Sequence, residues 1–151
     1  MHPATNPTIG VRRIALLAAI ITAAVAASLV VGAEPADAST PYCRIAAWQG
    51  TSERTIMVPQ AASGWRCHMA RGAYSPAVTT LQRSLNTCYP AVIGQPLKVD
   101  GNYGSRTQTA LLRVQRHLHI RRDGVYGPQT ALTMRHLADH GGCDTLSHPG
   151  G

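Results

Sequence analysis

The chain has 151 residues and a formal charge of +7 from 14 basic and 7 acidic residues, with four cysteines and no phenylalanine. Within that length residues 75–141 could form one small domain that needs cross-links or a flanking segment for stability, and the basic balance points to anionic partners. Glu53 is the only glutamate beyond residue 38, so a glycosidase built on paired carboxylates is left almost without candidates.

The N-terminus reads as an export signal. Arg12 and Arg13 precede an uncharged stretch from Ile14 to Gly32, and Ala36-Asp37-Ala38 places small residues at the minus-three and minus-one positions of a cleavage site. Removal of residues 1–38 is expected, with an uncleaved membrane anchor as the alternative. The context Gly10-Val11-Arg12-Arg13-Ile14-Ala15 lacks the remaining twin-arginine signal residues, so the general export route is expected. The mature part would keep 12 basic and 5 acidic residues, again +7, with Lys98 its only lysine.

Residues 39–74 show no sustained helical or strand period and read as an irregular arm, with one short strand at 55–58. Trp48 and Trp65 lie in it. As the only tryptophans they suit either sugar stacking or core filling, and a small domain favours the core. All four cysteines, Cys43, Cys67, Cys88 and Cys143, lie beyond the cleavage point, which reads as two disulfides in an oxidising compartment. Three pairings are open. Cys88 just after the first helix and Cys143 just after the third suit a staple of the helices, which would leave Cys43 with Cys67 to tether the arm.

Ser75-Pro76 makes an N-cap and a first-turn proline, and Val78, Leu81 and Leu85 form one apolar stripe on a helix ending near Asn86. Beyond it an eight-residue pattern occurs twice. Asp100-Gly101-Asn102-Tyr103-Gly104-Ser105-Arg106-Thr107 and Asp123-Gly124-Val125-Tyr126-Gly127-Pro128-Gln129-Thr130 both read Asp-Gly-x-Tyr-Gly-x-x-Thr, 23 residues apart by their numbers, 100 and 123. Asp-Gly is a tight-turn signal, and Pro128 and Ser105 stand where a first helical residue is expected. Thr107, Ala110, Leu111, Val114 and Leu118 continue the first copy as an amphipathic helix, and Thr130, Met134 and Leu137 continue the second.

Taken together, residues 67–140 resemble the peptidoglycan-binding domain of bacterial cell-wall hydrolases. The resemblance rests on Val78-Thr79-Thr80-Leu81-Gln82-Arg83-Ser84-Leu85, on the turn at Asp100, on Val114-Gln115 and on the Gly-Pro-x-Thr turn that follows Asp123. Ser75 stands where the family often has Gly, and Val114 where it has a large aromatic. The expected fold is an all-α three-helix bundle with an internal turn-helix duplication, preceded by the disulfide-tethered arm. The expected division is a signal peptide at 1–38, an arm at 39–74, the binding-like domain at 75–143 and a flexible tail at 144–151.

The resemblance implies a secreted, noncatalytic peptidoglycan-binding protein associated with the wall. Candidate contacts are Gln82, Asn86, Tyr103, Arg106, Tyr126 and Gln129, at the first helix and the turn-helix junctions. For the two tyrosines, packing against the adjacent helix is the competing role. Expected partners are peptidoglycan, with wall teichoic acid and a secreted hydrolase as further ones; nucleic acid is not expected, because an exported chain with no nucleic-acid motif has little use for it.

No cofactor and no metal are expected. His136 and His140 stand four apart on the expected third helix, yet Leu137 occupies the position where the zinc-protease motif needs glutamate. Two rival functions are an enzyme, either a small hydrolase using its histidines or an accessory subunit of a cell-wall hydrolase, and a secreted protein-interaction module of the kind found in some metalloprotease prodomains. The nearest approach to a prodomain cysteine switch, Trp65-Arg66-Cys67-His68, lacks its Pro-Arg-Cys-Gly context.

Overall fold

The computed structural model describes residues 39–50 and 54–146. The expected signal peptide, and residues 147–151 at the other end, lie outside the described residues. Four helices and two small sheets make a mixed α/β architecture, which corrects the expected all-α bundle.

The segment expected to be an irregular arm carries an antiparallel hairpin, β1 (Ile45–Gly50) with β2 (Thr55–Gln60), in the register Trp48 opposite Met57 and Ala47 opposite Val58. Its strand period is hidden in the sequence because Ile45-Ala46-Ala47-Trp48 does not alternate, whereas burial in β2 alternates from Thr55 to Val58, with Ile56 and Val58 pointing inward. Ile56 and Val58 join Ala138 and Leu146 in a satellite cluster, with Trp65 and Leu132 packed against it.

Helix α1 (Pro76–Cys88) starts where its cap predicts, with Ser75 Oγ accepting from Val78 N at 3.4 Å. A single-turn helix α2 (Pro90–Ile93) follows, then α3 (Ser105–His117) and α4 (Pro128–Thr133). The main core lies among these helices and the repeat turns, with Val78, Leu81, Leu85, Leu111, Val114, Tyr103 and Tyr126 fully buried. Without phenylalanine, the two repeat tyrosines supply the largest core side chains.

The expected third helix is cut short. Met134 turns extended, and β3 (Arg135–Leu137) pairs with β4 (Cys143–Thr145). Groups on or just after α1 take up amides that a continuing helix would have bonded internally: Tyr89 Oη accepts from Arg135 N at 2.6 Å and Ser84 Oγ from Leu137 N at 3.3 Å. Met134, His136 and Ala138 are consequently buried at alternate positions. His136 and His140 therefore share no helix, and His136 is fully buried.

Burial pushes the His136 imidazole down to about 4, against a partly offsetting hydrogen bond from the ring Nε2 to Ala131 O at 2.8 Å. Its Nδ1 has no partner, and the Tyr126 ring stands edge-on at 6.2 Å. A depressed pKa means the unfolded chain binds the extra proton first, so stability is complete above the ordinary pKa of 6.5 and falls as pH drops toward 4. About 2–3 kcal/mol should be lost by pH 4.5. Urea unfolding at pH 7 and 4.5 checks this; His136→Gln should show a flatter response across that window, and an equal response would remove His136 as the cause.

Candidate functional site

Each repeat turn is threaded by a glutamine from the preceding helix. Gln82 Oε1 accepts from Asp100 N and Gly101 N, both at 3.0 Å, while its Nε2 donates to Asp100 Oδ1, Asn102 O and Thr107 Oγ1. Gln115 repeats the arrangement on the second turn, accepting from Gly124 N and donating to Asp123 Oδ1, Val125 O and Thr130 Oγ1. The Asp and Thr of the motif are thus the two side-chain acceptors of one buried amide.

The motif glycines allow this closeness: Gly124 has φ +65°, and a Cβ there would lie 2.9 Å from Gln108 Cγ. The motif tyrosines anchor the turns from below. Tyr103 Oη donates to Gly124 O at 3.0 Å, linking one repeat to the other, and the backbones of Tyr103 and Tyr126 bond residues 69–73. Burial raises both phenols, so they stay protonated at any physiological pH.

The expected contact residues lie in different surroundings. Gln82, Tyr103 and Tyr126 are buried and offer no surface to a ligand. Asn86 is spent on the backbone of Leu97, donating to its carbonyl at 2.8 Å and accepting from its amide at 2.7 Å. Arg106 and Gln129 are exposed, on α3 and α4 respectively, and the structure does not bring them together with the others into one site. The two disulfides form as Cys43–Cys67 and Cys88–Cys143.

A different surface has the shape of a binding site. An open cleft of about 700 Å³ lies between the hairpin and α1. Arg44, Ala46 and Trp48 line it from alternate positions of one strand face, and Pro76, Thr79, Thr80 and Arg83 line it from one helical face. Trp48 is 51% exposed and Tyr74 79%, so two aromatic rings stand open at the cleft instead of filling the core.

The Arg44 and Arg83 guanidinium groups make no hydrogen bond or ion pair among the described residues. Asp100 also borders the cleft, and the Gln82 amide, followed by Asn102 N, holds its carboxyl below the usual range, so it remains ionised. Such an arrangement offers apolar ring faces beside free cations. Trp48 was legible only as one of two tryptophans; the hairpin face that exposes it depends on a pairing the sequence does not announce.

A family model described as "Putative peptidoglycan binding domain" matches residues 74–134. No curated protein matches the chain. Among solved structures, the SleB N-terminal domain is 32% identical over 43% of this chain and 84% of its own, with a TM-score of 0.38. A peptidoglycan-binding protein from Clostridioides difficile, solved with glutamine hydroxamate, is 21% identical over 53% of this chain and 44% of its own, with a TM-score of 0.39. Neither superposition is close enough to carry an argument about the site. With the duplicated glutamine-threaded turns and the match over residues 74–134, the chain belongs, through that segment, to the peptidoglycan-binding domain family.

Proposed function

We propose that the protein is an exported, noncatalytic peptidoglycan-binding protein of the cell wall, delivered by the leader at residues 1–38. The observation that carries this reading is the cleft beside α1, where exposed Trp48 and Tyr74 stand with the free guanidinium groups of Arg44 and Arg83. Peptidoglycan combines sugar rings, whose apolar faces stack on aromatic side chains, with stem-peptide carboxylates that arginine receives in two parallel hydrogen bonds.

The noncatalytic part rests on how the reactive side chains are spent. Asp100 and Asp123 each hold a turn together through Gln82 or Gln115, His136 is buried against Ala131, and all four cysteines are in disulfides. No helix among the described residues is long and apolar enough to cross a membrane. Wall teichoic acid is a secondary anionic partner for the same basic surface, and a secreted hydrolase acting on the same wall is a natural companion.

Co-sedimentation of the oxidised protein with purified peptidoglycan, teichoic acids retained or stripped, tests the reading across a salt series. Binding to stripped wall should persist at high salt, because ring stacking is not screened. Trp48→Ala should weaken it about 5- to 10-fold, on the scale of one lost aromatic contact. Binding that disappears with salt or with the teichoic acids would reduce the protein to a basic surface.

A further inference from the structure

The cleft does not end at Tyr74. A second cleft of about 460 Å³ shares Arg44, Tyr74 and Ser75 with the first and continues past them to Tyr42, His68 and Arg71. Tyr42, Trp48 and Tyr74 are three of the five exposed large apolar side chains among the described residues, and all three lie on this one path.

The far end is held in place. The Tyr42 ring lies against His68, tilted by 43° with ring centroids 4.4 Å apart; Cys43 N bonds His68 O at 2.9 Å and His68 N bonds Pro41 O at 2.8 Å. The Cys43–Cys67 disulfide stands beside that pairing. A ring fixed by backbone bonds and a disulfide loses little freedom when a ligand arrives. Three arginines, Arg44, Arg71 and Arg83, are spaced along the path with no side-chain hydrogen bond or ion pair among the described residues, which suits a ligand with carboxylates at intervals.

We infer that the two clefts form one continuous groove with two subsites, occupied by a wall glycan carrying stem peptides: one disaccharide-peptide repeat against Trp48 and Tyr74, the next against Tyr42. This rests on the proposed wall-binding function and adds a length requirement to it. The first subsite's strand wall, Arg44, Ala46, Trp48 and Met57, lies outside residues 74–134, whereas its helical wall, Pro76 to Arg83, lies inside them, so the groove forms between the matched domain and a segment beyond the match. Joining two such subsites makes the second contact intramolecular, so a ligand that spans both gains affinity over one that fills either.

The test is titration of the oxidised protein, followed by tryptophan fluorescence and calorimetry, with a soluble disaccharide-tetrapeptide and with the tetrasaccharide carrying two stem peptides. The longer fragment should bind about 10-fold more tightly or better. The double variant Tyr42→Ala/Arg71→Ala should bring that ratio below about 3-fold, Trp48→Ala should weaken both fragments, and Arg122→Ala, an exposed charge outside both clefts, should change neither.

Equal affinity for the two fragments, or a length ratio that survives Tyr42→Ala/Arg71→Ala, would overturn the two-subsite groove while leaving wall binding intact. Failure of the protein to bind both fragments and whole stripped wall would overturn the functional reading itself. Tight binding of a glycerol phosphate oligomer with both glycan fragments silent would assign the groove to a polyphosphate and likewise overturn the proposal.

Discussion

Replacing Gln82 by leucine is expected to destabilise the fold by about 4 kcal/mol, because the buried amide of Gly101 and Asp100 N lose their acceptor, and the Thr107 hydroxyl and Asn102 O lose the donor they share and keep only their bond to each other. A leucine fills nearly the same space, so the loss reports the hydrogen bonds more than a cavity. Gln82→Glu should be at least as damaging. It keeps the acceptor for the turn amides but sets a second carboxylate oxygen against Asp100 Oδ1 and Asn102 O, where the amide nitrogen now donates.

Urea unfolding of the two variants is the direct measurement, with wall binding recorded at temperatures where each remains folded. Lost stability with wild-type binding of the folded fraction is the expected pattern. Unchanged stability with lost binding would instead make Gln82 a ligand contact. Gln115→Leu should behave similarly but more mildly, since the second turn gives its Oε1 a single backbone donor, Gly124 N.

The second large effect is expected from the Cys88–Cys143 disulfide, which closes a loop of 55 residues and ties the end of α1 to β4. Chain entropy assigns such a loop about 4 kcal/mol, and about 3 kcal/mol to the 24-residue loop closed by Cys43–Cys67. A domain of this size has roughly 5–15 kcal/mol of total stability, so removing both should unfold it at moderate temperature.

Thermal unfolding of Cys88→Ala/Cys143→Ala and of Cys43→Ala/Cys67→Ala, each against the oxidised protein, separates the two contributions. The first pair should melt lower than the second. The reverse order would mean that the hairpin, and not the β3–β4 ribbon, is the element most dependent on its cross-link. Binding adds an independent readout: loss of Cys43–Cys67 frees the end of the groove at Tyr42 and should weaken the longer glycan fragment selectively.

The turn motif was legible as a repeat, but its physical purpose was not. Asp-Gly predicts a tight turn from two adjacent residues, whereas the role of Asp100 as acceptor for Gln82 joins positions 18 residues apart. In the second copy the same pairing spans 8 residues, Gln115 to Asp123. Because that spacing differs between copies, alignment of the repeats at 23 residues does not bring the glutamines into register. The bonds of Asn86 are hidden for the same reason: a polar side chain on a helix gives no sign that an amide and a carbonyl from Leu97 will meet it.

The third helix failed at a true ambiguity. Met134 and Leu137 satisfy a helical stripe, and Met134, His136 and Ala138 satisfy strand alternation equally well. Only the hydroxyls of Tyr89 and Ser84, offered by the far side of the core to the amides of Arg135 and Leu137, favour the extended form.

By itself the sequence determined the local chemistry: the Ser75-Pro76 helix start, the duplicated Asp-Gly turns, the strand beginning at Thr55 and the pairing capacity of four cysteines. These depend on neighbours within a few residues, whose φ preferences and hydrogen-bonding groups act at short range. Tertiary structure alone decided that Gln82 is a structural clamp, that Tyr103 and Tyr126 are core, and that Trp48 and Tyr74 open onto a groove with Arg44 and Arg83. Each of those outcomes depends on a surface brought from a distant part of the chain, and burial is a property of the partner as much as of the residue.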